Sequence, residues 1–207
     1  MSQPASTAQP LAAQLTSYLQ HWPSEACLVE AFRDLLDDPL NPFMRERAQS
    51  HFTGAAWLVS ADGQRILMTH HRKLQRWLQL GGHADGDCDM AAVALKEAQE
   101  ESGLSGLMVE GDFIFDLDRH WIPERGDVEG HWHYDVRYVV RAGQDERFTV
   151  GDESLDLAWH GIRELADDPD ESLARMARKW LLLFPSLGTR RAKAACVDPS
   201  LLGCSVL

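Results

Sequence analysis

A chain of 207 residues with 44% hydrophobic composition is long enough for one domain with a real core and short for two. Its formal charge of -12 and pI near 5.1 weigh against a nucleic-acid polymer as partner, yet leave room for a small phosphorylated ligand, because a bound divalent cation inverts the local field. No apolar run approaches the roughly eighteen residues of a membrane span, no signal-peptide pattern opens the chain, and Cys27, Cys88, Cys196 and Cys204 show neither a CxxC pair nor regular spacing, so a protein of the reducing cytoplasm without membrane contact is expected.

Residues 1–10 are small and polar and are expected to fray. Two helical faces follow. Leu11, Leu15, Tyr18 and Leu19 share one, and Cys27, Leu28, Ala31, Phe32, Leu35 and Leu36 share the next. Asp38, Pro39, Asn41 and Pro42 break the period, and a short helical piece is expected over 43–49. Residues 1–50 thus read as a helical extension whose apolar faces cover either the main domain or a partner subunit, which keeps a homodimer in view. From Phe52 the period turns strand-like, with strands expected over 55–60 and 65–71 around the turn Ala61-Asp62-Gly63-Gln64, and a shorter one over 77–80 leading into Gly81-Gly82. Residues 89–102 predict a helix, with Asp87 or Asp89 as N-cap and Gly103 to end it. Further strands are expected over 107–116, 131–141 and 155–160. A closing helix begins at the cap Asp168, with Pro169 at its first position and Glu171 at its third, and runs to about residue 184. Residues 51–185 form the main domain, and the aperiodic tail over 186–207 is expected to be disordered.

Glu97, Glu100 and Glu101 stand at i, i+3, i+4, which places three carboxylates on one helix face. A hard cation such as Mg2+ takes oxygen ligands of this kind, and Gly81-Gly82 upstream offer bare backbone for an ion or phosphate. A solvated acidic face, paired by Lys96 to Glu100, explains the triplet alone equally well. The surroundings decide between the two. Residues 81–104, GGHADGDCDMAAVALKEAQEESGL, resemble the signature of the Nudix hydrolases: Gly, five residues, Glu, seven residues, Arg-Glu-apolar-any-Glu-Glu-any-Gly-apolar. Gly82, Glu97, Glu100, Glu101, Gly103 and Leu104 match, whereas Cys88 stands in place of the first Glu and Lys96 in place of the Arg. The stretch from Trp159 to Leu165 is also similar to the strand and turn that follow in that family.

The resemblance implies a Nudix-like α/β/α sandwich with a mixed sheet, plus the N-terminal helical extension. It implies hydrolysis of a phosphoanhydride bond in a nucleoside diphosphate linked to another group. By the same resemblance Glu100 and Glu101 bind Mg2+ or Mn2+, Glu97 binds metal or helps activate water, and the Gly82 carbonyl completes the coordination. Lys96 keeps the charge of the family arginine without its bidentate fork. The two departures, about two helical turns apart, also motivate a different class of function, a ligand-sensing or scaffold domain with weakened catalysis.

Other residues carry chemistry less directly. His131, His133, Asp135 and Arg137 alternate along one strand face, opposite Trp132, Tyr134, Val136 and Tyr138. They point into the cleft with His83 to contact substrate phosphate, or hold a transition metal, or simply face water. Arg76 is placed to reach phosphates and Trp77 to stack on a base, or the two form a solvated loop beside a core tryptophan. Asp85 and Asp87 in the same loop as His83 are placed to bind a second cation or, as the simpler reading, to cap the loop. Glu153 lies near a position where some members of the family place an extra carboxylate, though an ordinary turn accounts for it.

Overall fold

The computed structural model describes residues 9–152 and 154–185, so the expected tail over 186–207 and Glu153 lie outside the described residues. Strand β1 (Ser50–Val59) is buried at every position after the first, and the rest of the sheet is assembled on its two edges. Along one edge it pairs in parallel with β7 (His131–Arg141), in register from Ser50↔Trp132 to Val59↔Arg141. The other edge is divided between β4 (Leu80–His83), antiparallel from Thr53↔His83 to Ala56↔Leu80, and β2 (Arg65–His71), which meets it at Val59↔Ile66. β2 also pairs with β3 (Arg76–Leu78) and β8 (Ser154–Gly161), and β7 with β5 (Met108–Val109) and β6 (Asp116–Ile122). The sheet is therefore mixed, as expected.

Strand alternation sends Phe52, Gly54, Ala56 and Leu58 to one face and His51, Thr53, Ala55, Trp57 and Val59 to the other. On the first face, α3 (Met90–Ser102) packs Met90, Val93, Ala94 and Ala98 against β1. The helix sits so close that a Cβ on Gly54 would lie 2.7 Å from Val93 Cγ1 and 3.2 Å from the Ala94 backbone nitrogen. On the second face, α4 (Ile162–Leu165) and α5 (Glu171–Leu183) bury Ile162, Leu173, Met176, Ala177 and Trp180 against Trp57 and Val59. This is the expected α/β/α sandwich.

Local signals set the ends of α3. The Asp89 carboxylate accepts the Ala92 N–H at 3.1 Å, and Gly103 adopts φ 66°, where its N–H bonds the Gln99 carbonyl. Elsewhere the structure corrects the boundaries. Residues 43–49 are turns rather than a helix, because Asn41 accepts the Phe43 N–H, Arg47 donates to the Ser50 carbonyl at 2.7 Å, and Phe52 N–H bonds the Pro42 carbonyl. The strand expected over 107–116 is cut short at Val109, beyond which Gly111 turns at φ 82°, and the long strand begins at Asp116. Its inward face alternates Asp116, Asp118 and His120, while Arg119 and Trp121 are exposed, so a hydrophobicity pattern cannot flag the strand. The cap of α5 is Asp170, which accepts from Ser172 and Leu173, while Asp168 accepts the Asp170 N–H. β1 begins five residues before the expected start, and α4 was not anticipated.

The extension folds as α1 (Leu11–His21) and α2 (Ala26–Leu36), whose buried side chains are Leu11, Gln14, Leu15 and Tyr18, and Val29, Phe32 and Leu35. Cys27, expected on the apolar face, is exposed, and Val29 takes that role. The hairpin covers its own domain. Tyr138 OH donates to Gln14 at 2.7 Å, and Lys179 of α5 reaches Glu25 at 2.7 Å and Tyr18 OH at 2.6 Å. Lys179 also binds the fully buried Asp116 at 2.7 Å, which Arg137 and Arg175 approach at 3.0 and 2.8 Å. Arg175 and Arg137 bind Asp118 as well, and Arg137 binds Asp135. Among the described residues no helix is long and apolar enough to cross a membrane.

Candidate active site

The strand-to-helix connection brings the two halves of the sequence signature into contact. A side chain on Gly82 would put its Cβ 2.6 Å from Glu97 Cδ, so the absence of one makes the notch in which the Glu97 carboxylate lies. One residue earlier, Gly81 N–H donates to Glu101 Oε1 at 2.7 Å. Lys96 stands 3.5 Å from Glu97 and 3.6 Å from Glu100, bridging the two acids rather than reaching back toward Cys88, which is exposed. The Glu97 side chain is 15% exposed and that of Glu100 61%, so the acids grade from a half-buried base at the strand to an open rim. Burial raises the proton affinity of Glu97, Lys96 opposes that rise, and the Glu100 charge adds to it. Three carboxylates against one ammonium leave a net negative oxygen cluster beside a bare strand backbone, a donor set that fits a hard divalent cation.

The loop between glycine and helix is braced from the N-terminal side. Arg45 binds Asp85 through two hydrogen bonds, holding a non-glycine residue at φ 50°, and Asp87 accepts the Asp89 N–H at 2.9 Å. Both aspartates serve the loop, as expected, and Arg45 is a contributor that no sequence signal marked.

On the opposite face of the sheet the histidines gather. His131 and His133 of β7 and His83 of β4 do come together, joined by two more that the sequence did not single out, His51 of β1 and His120 of β6. The alternation of His51, Thr53 and Ala55 was the available signal for His51, hidden because the strand begins earlier than its hydrophobic pattern. Burial lowers His83 to about 4, helped by the Arg45 and His51 charges, and lowers His133 to about 2. Asp135 is buried, accepting from Thr53, from Gln79 at 3.3 Å and from Arg137, so its oxygens serve the scaffold rather than a ligand. Arg76 is exposed, 3.8 Å from Asp170. Trp77 is half-buried with one ring face stacked on His70 at 5.1 Å.

A model of the NUDIX domain matches residues 51–182. Among solved structures, an Ap4A hydrolase of C. elegans in a binary complex aligns with a TM-score of 0.50 at 13% identity, covering 65% of this chain and 98% of its own. The dihydroneopterin triphosphate pyrophosphohydrolase of E. coli aligns with a TM-score of 0.50 at 13% identity, covering 64% and 95%. At such identities these likenesses speak to the fold. No curated protein matches the chain in sequence. With a family match over most of the chain and the glycine-to-glutamate contact in place, the chain belongs to the NUDIX domain family of pyrophosphate-bond hydrolases.

Proposed function

We propose that the chain hydrolyses a phosphoanhydride bond in a nucleoside diphosphate linked to another group, using Mg2+ or Mn2+ held by Glu97, Glu100, Glu101 and the Gly82 carbonyl. The observation that carries this reading is the seating of the Glu97 carboxylate in the Gly82 notch while Glu101 is tied to the Gly81 amide. The cation, when bound, neutralises charge on the phosphoryl oxygens and lowers the pKa of its water. Glu97, whose carboxylate lies in the Gly82 notch beside the strand backbone, binds the cation or helps activate the attacking water. Glu101 is positioned by its backbone partner, and Lys96 restrains Glu97 and Glu100 against mutual repulsion. Arg76, only loosely paired, is free to swing to a substrate phosphate, and Trp77 offers apolar surface beside it. Free, exposed Cys27 and Cys88 fit a reducing cytoplasm as the place of action.

The test is turnover of dinucleotides, nucleotide sugars and nucleoside triphosphates with Mg2+ or Mn2+, alongside Glu100→Gln and Glu101→Gln. Both variants are expected to lose metal-dependent turnover, and unchanged rates in both would overturn the metal assignment. Tight binding of one of these compounds without product would favour the sensing reading suggested by Cys88 and Lys96.

A further inference from the structure

The imidazoles on the sheet face away from α3 have a geometry of their own. His51, His83, His120, His131 and His133 arrive on four strands, and their neighbouring ring centroids lie 4.8 to 5.5 Å apart. Ordinary packing does not explain the nitrogens. His51 Nδ1 faces the Arg47 carbonyl at 3.2 Å and His131 Nδ1 faces the Glu129 carbonyl at 2.8 Å. A carbonyl only accepts, so in each ring the proton sits on Nδ1 and Nε2 keeps its lone pair. His51 is 2% exposed and its Nε2 has no hydrogen-bond partner, a buried acceptor without a donor. His131 Nε2 lies 3.2 Å from His133 Nε2. One ligand atom from each of His51, His131 and His133 falls within 4.8 Å of the other two.

We propose that His51, His131 and His133 form a three-histidine site for a borderline transition-metal dication such as Zn2+, distinct from the acidic site on α3. Nitrogens bound to zinc at about 2.0–2.1 Å in a tetrahedron stand about 3.4 Å apart, so the His131–His133 pair at 3.2 Å is near that spacing, and the His51 ligand atom lies within 4.8 Å of both. Ligand imidazoles whose far nitrogen donates to a carbonyl match the outer-sphere arrangement that fixes tautomer and orientation in metal sites. Neutral imidazoles select Zn2+, Co2+ or Ni2+ over Mg2+, which the carboxylates on α3 suit. The His83 ring centroid lies 5.1 Å from those of both His51 and His133, so its imidazole is the next nearest to the trio. His120, held by Asp118 at 3.2 Å, supports His133 from the far side at 5.5 Å. Register keeps the two sites apart: Gly82 pairs with Gly54 facing α3, whereas His83 pairs with Thr53 facing the other way.

The experiment loads chelator-stripped full-length protein with Zn2+ in excess Mg2+, measures stoichiometry and affinity by calorimetry, and reads the coordination shell by X-ray absorption. One equivalent of Zn2+ with three imidazole scatterers is expected. The double substitution His131→Ala with His133→Ala is expected to weaken Zn2+ binding roughly 100-fold or more, while Glu100→Gln and Glu101→Gln keep it. Absence of stoichiometric Zn2+, a shell of carboxylate oxygens alone, or equal affinity in the double histidine variant overturns the proposal. The absorption spectrum is read on unmutated protein and stands even if the histidine variant fails to fold. Because the glutamate variants are scored for Mg2+-dependent turnover and for Zn2+ separately, failure of one site does not masquerade as failure of the other.

Discussion

Gly82 is where a single missing side chain decides chemistry. In Gly82→Ala the new Cβ would displace the end of the Glu97 side chain, a flexible group, and not the backbone. The fold is therefore expected to survive, with a stability change within about 0.5 kcal/mol by thermal unfolding, while kcat/KM falls by roughly 10- to 100-fold through the displaced carboxylate. Equal kcat/KM would show that Glu97 works from elsewhere. Lys96 answers a question raised by the departures from the family signature. Its ammonium lies 3.5 Å from Glu97 and 3.6 Å from Glu100, offsetting part of their charge without the fork of an arginine, and Cys88 is exposed.

At the scale of elements, the site depends on how closely α3 approaches β1. The approach is set at Gly54, where an added Cβ would meet the side chain of Val93 and the backbone of Ala94. The backbone cannot yield as the tip of Glu97 can. Gly54→Ala is expected to cost about 1–3 kcal/mol by strain, seen as a lower denaturant midpoint with an unchanged slope. A midpoint equal to that of the unmutated chain would mean that the helix can shift outward freely. The same contrast explains which boundaries were legible. The ends of α3 follow from Asp89 and Gly103, local signals that act over one turn. The break after Val109 and the polar strand from Asp116 do not, because the partners of Asp116 and Asp118 lie on β7 and α5.

Across the whole molecule, Asp116 joins the layers. It faces Arg137 of β7 and Arg175 and Lys179 of α5, and Lys179 continues to Glu25 and Tyr18 of the N-terminal hairpin. Asp116→Asn would leave three cations short of a buried partner, an expected loss of about 3–5 kcal/mol in chemical denaturation. Burial alone would raise the Asp116 carboxyl, but the Arg175 hydrogen bonds and the charges of Arg137, Arg175 and Lys179 prevail and hold it below its ordinary value. A carboxyl with a depressed folded pKa contributes stability above its unfolded pKa, near 3.9, and loses it as pH falls toward the folded value. The stability difference between the unmutated chain and Asp116→Asn is thus expected to hold steady from pH 7 to 5 and to shrink below about pH 4. A difference that stays constant down to pH 3 would show that Asp116 is not the anionic centre of the network.

The sequence by itself carried the acidic helix face, because residues three and four apart share a face wherever the helix lies, and it carried the family and the sandwich through the resemblance of residues 81–104 to the family signature, a short contiguous stretch. Glu97, Glu100, Glu101 and Gly82 were legible for that reason. Only the tertiary structure decided that His51 and His120 join His83, His131 and His133, that Asp135 belongs to the scaffold, and that the N-terminal helices cover their own domain. Those outcomes depend on the parallel register of β1 with β7 and on the docking of α5, pairings between segments far apart in the chain, for which no local periodicity carries a signal.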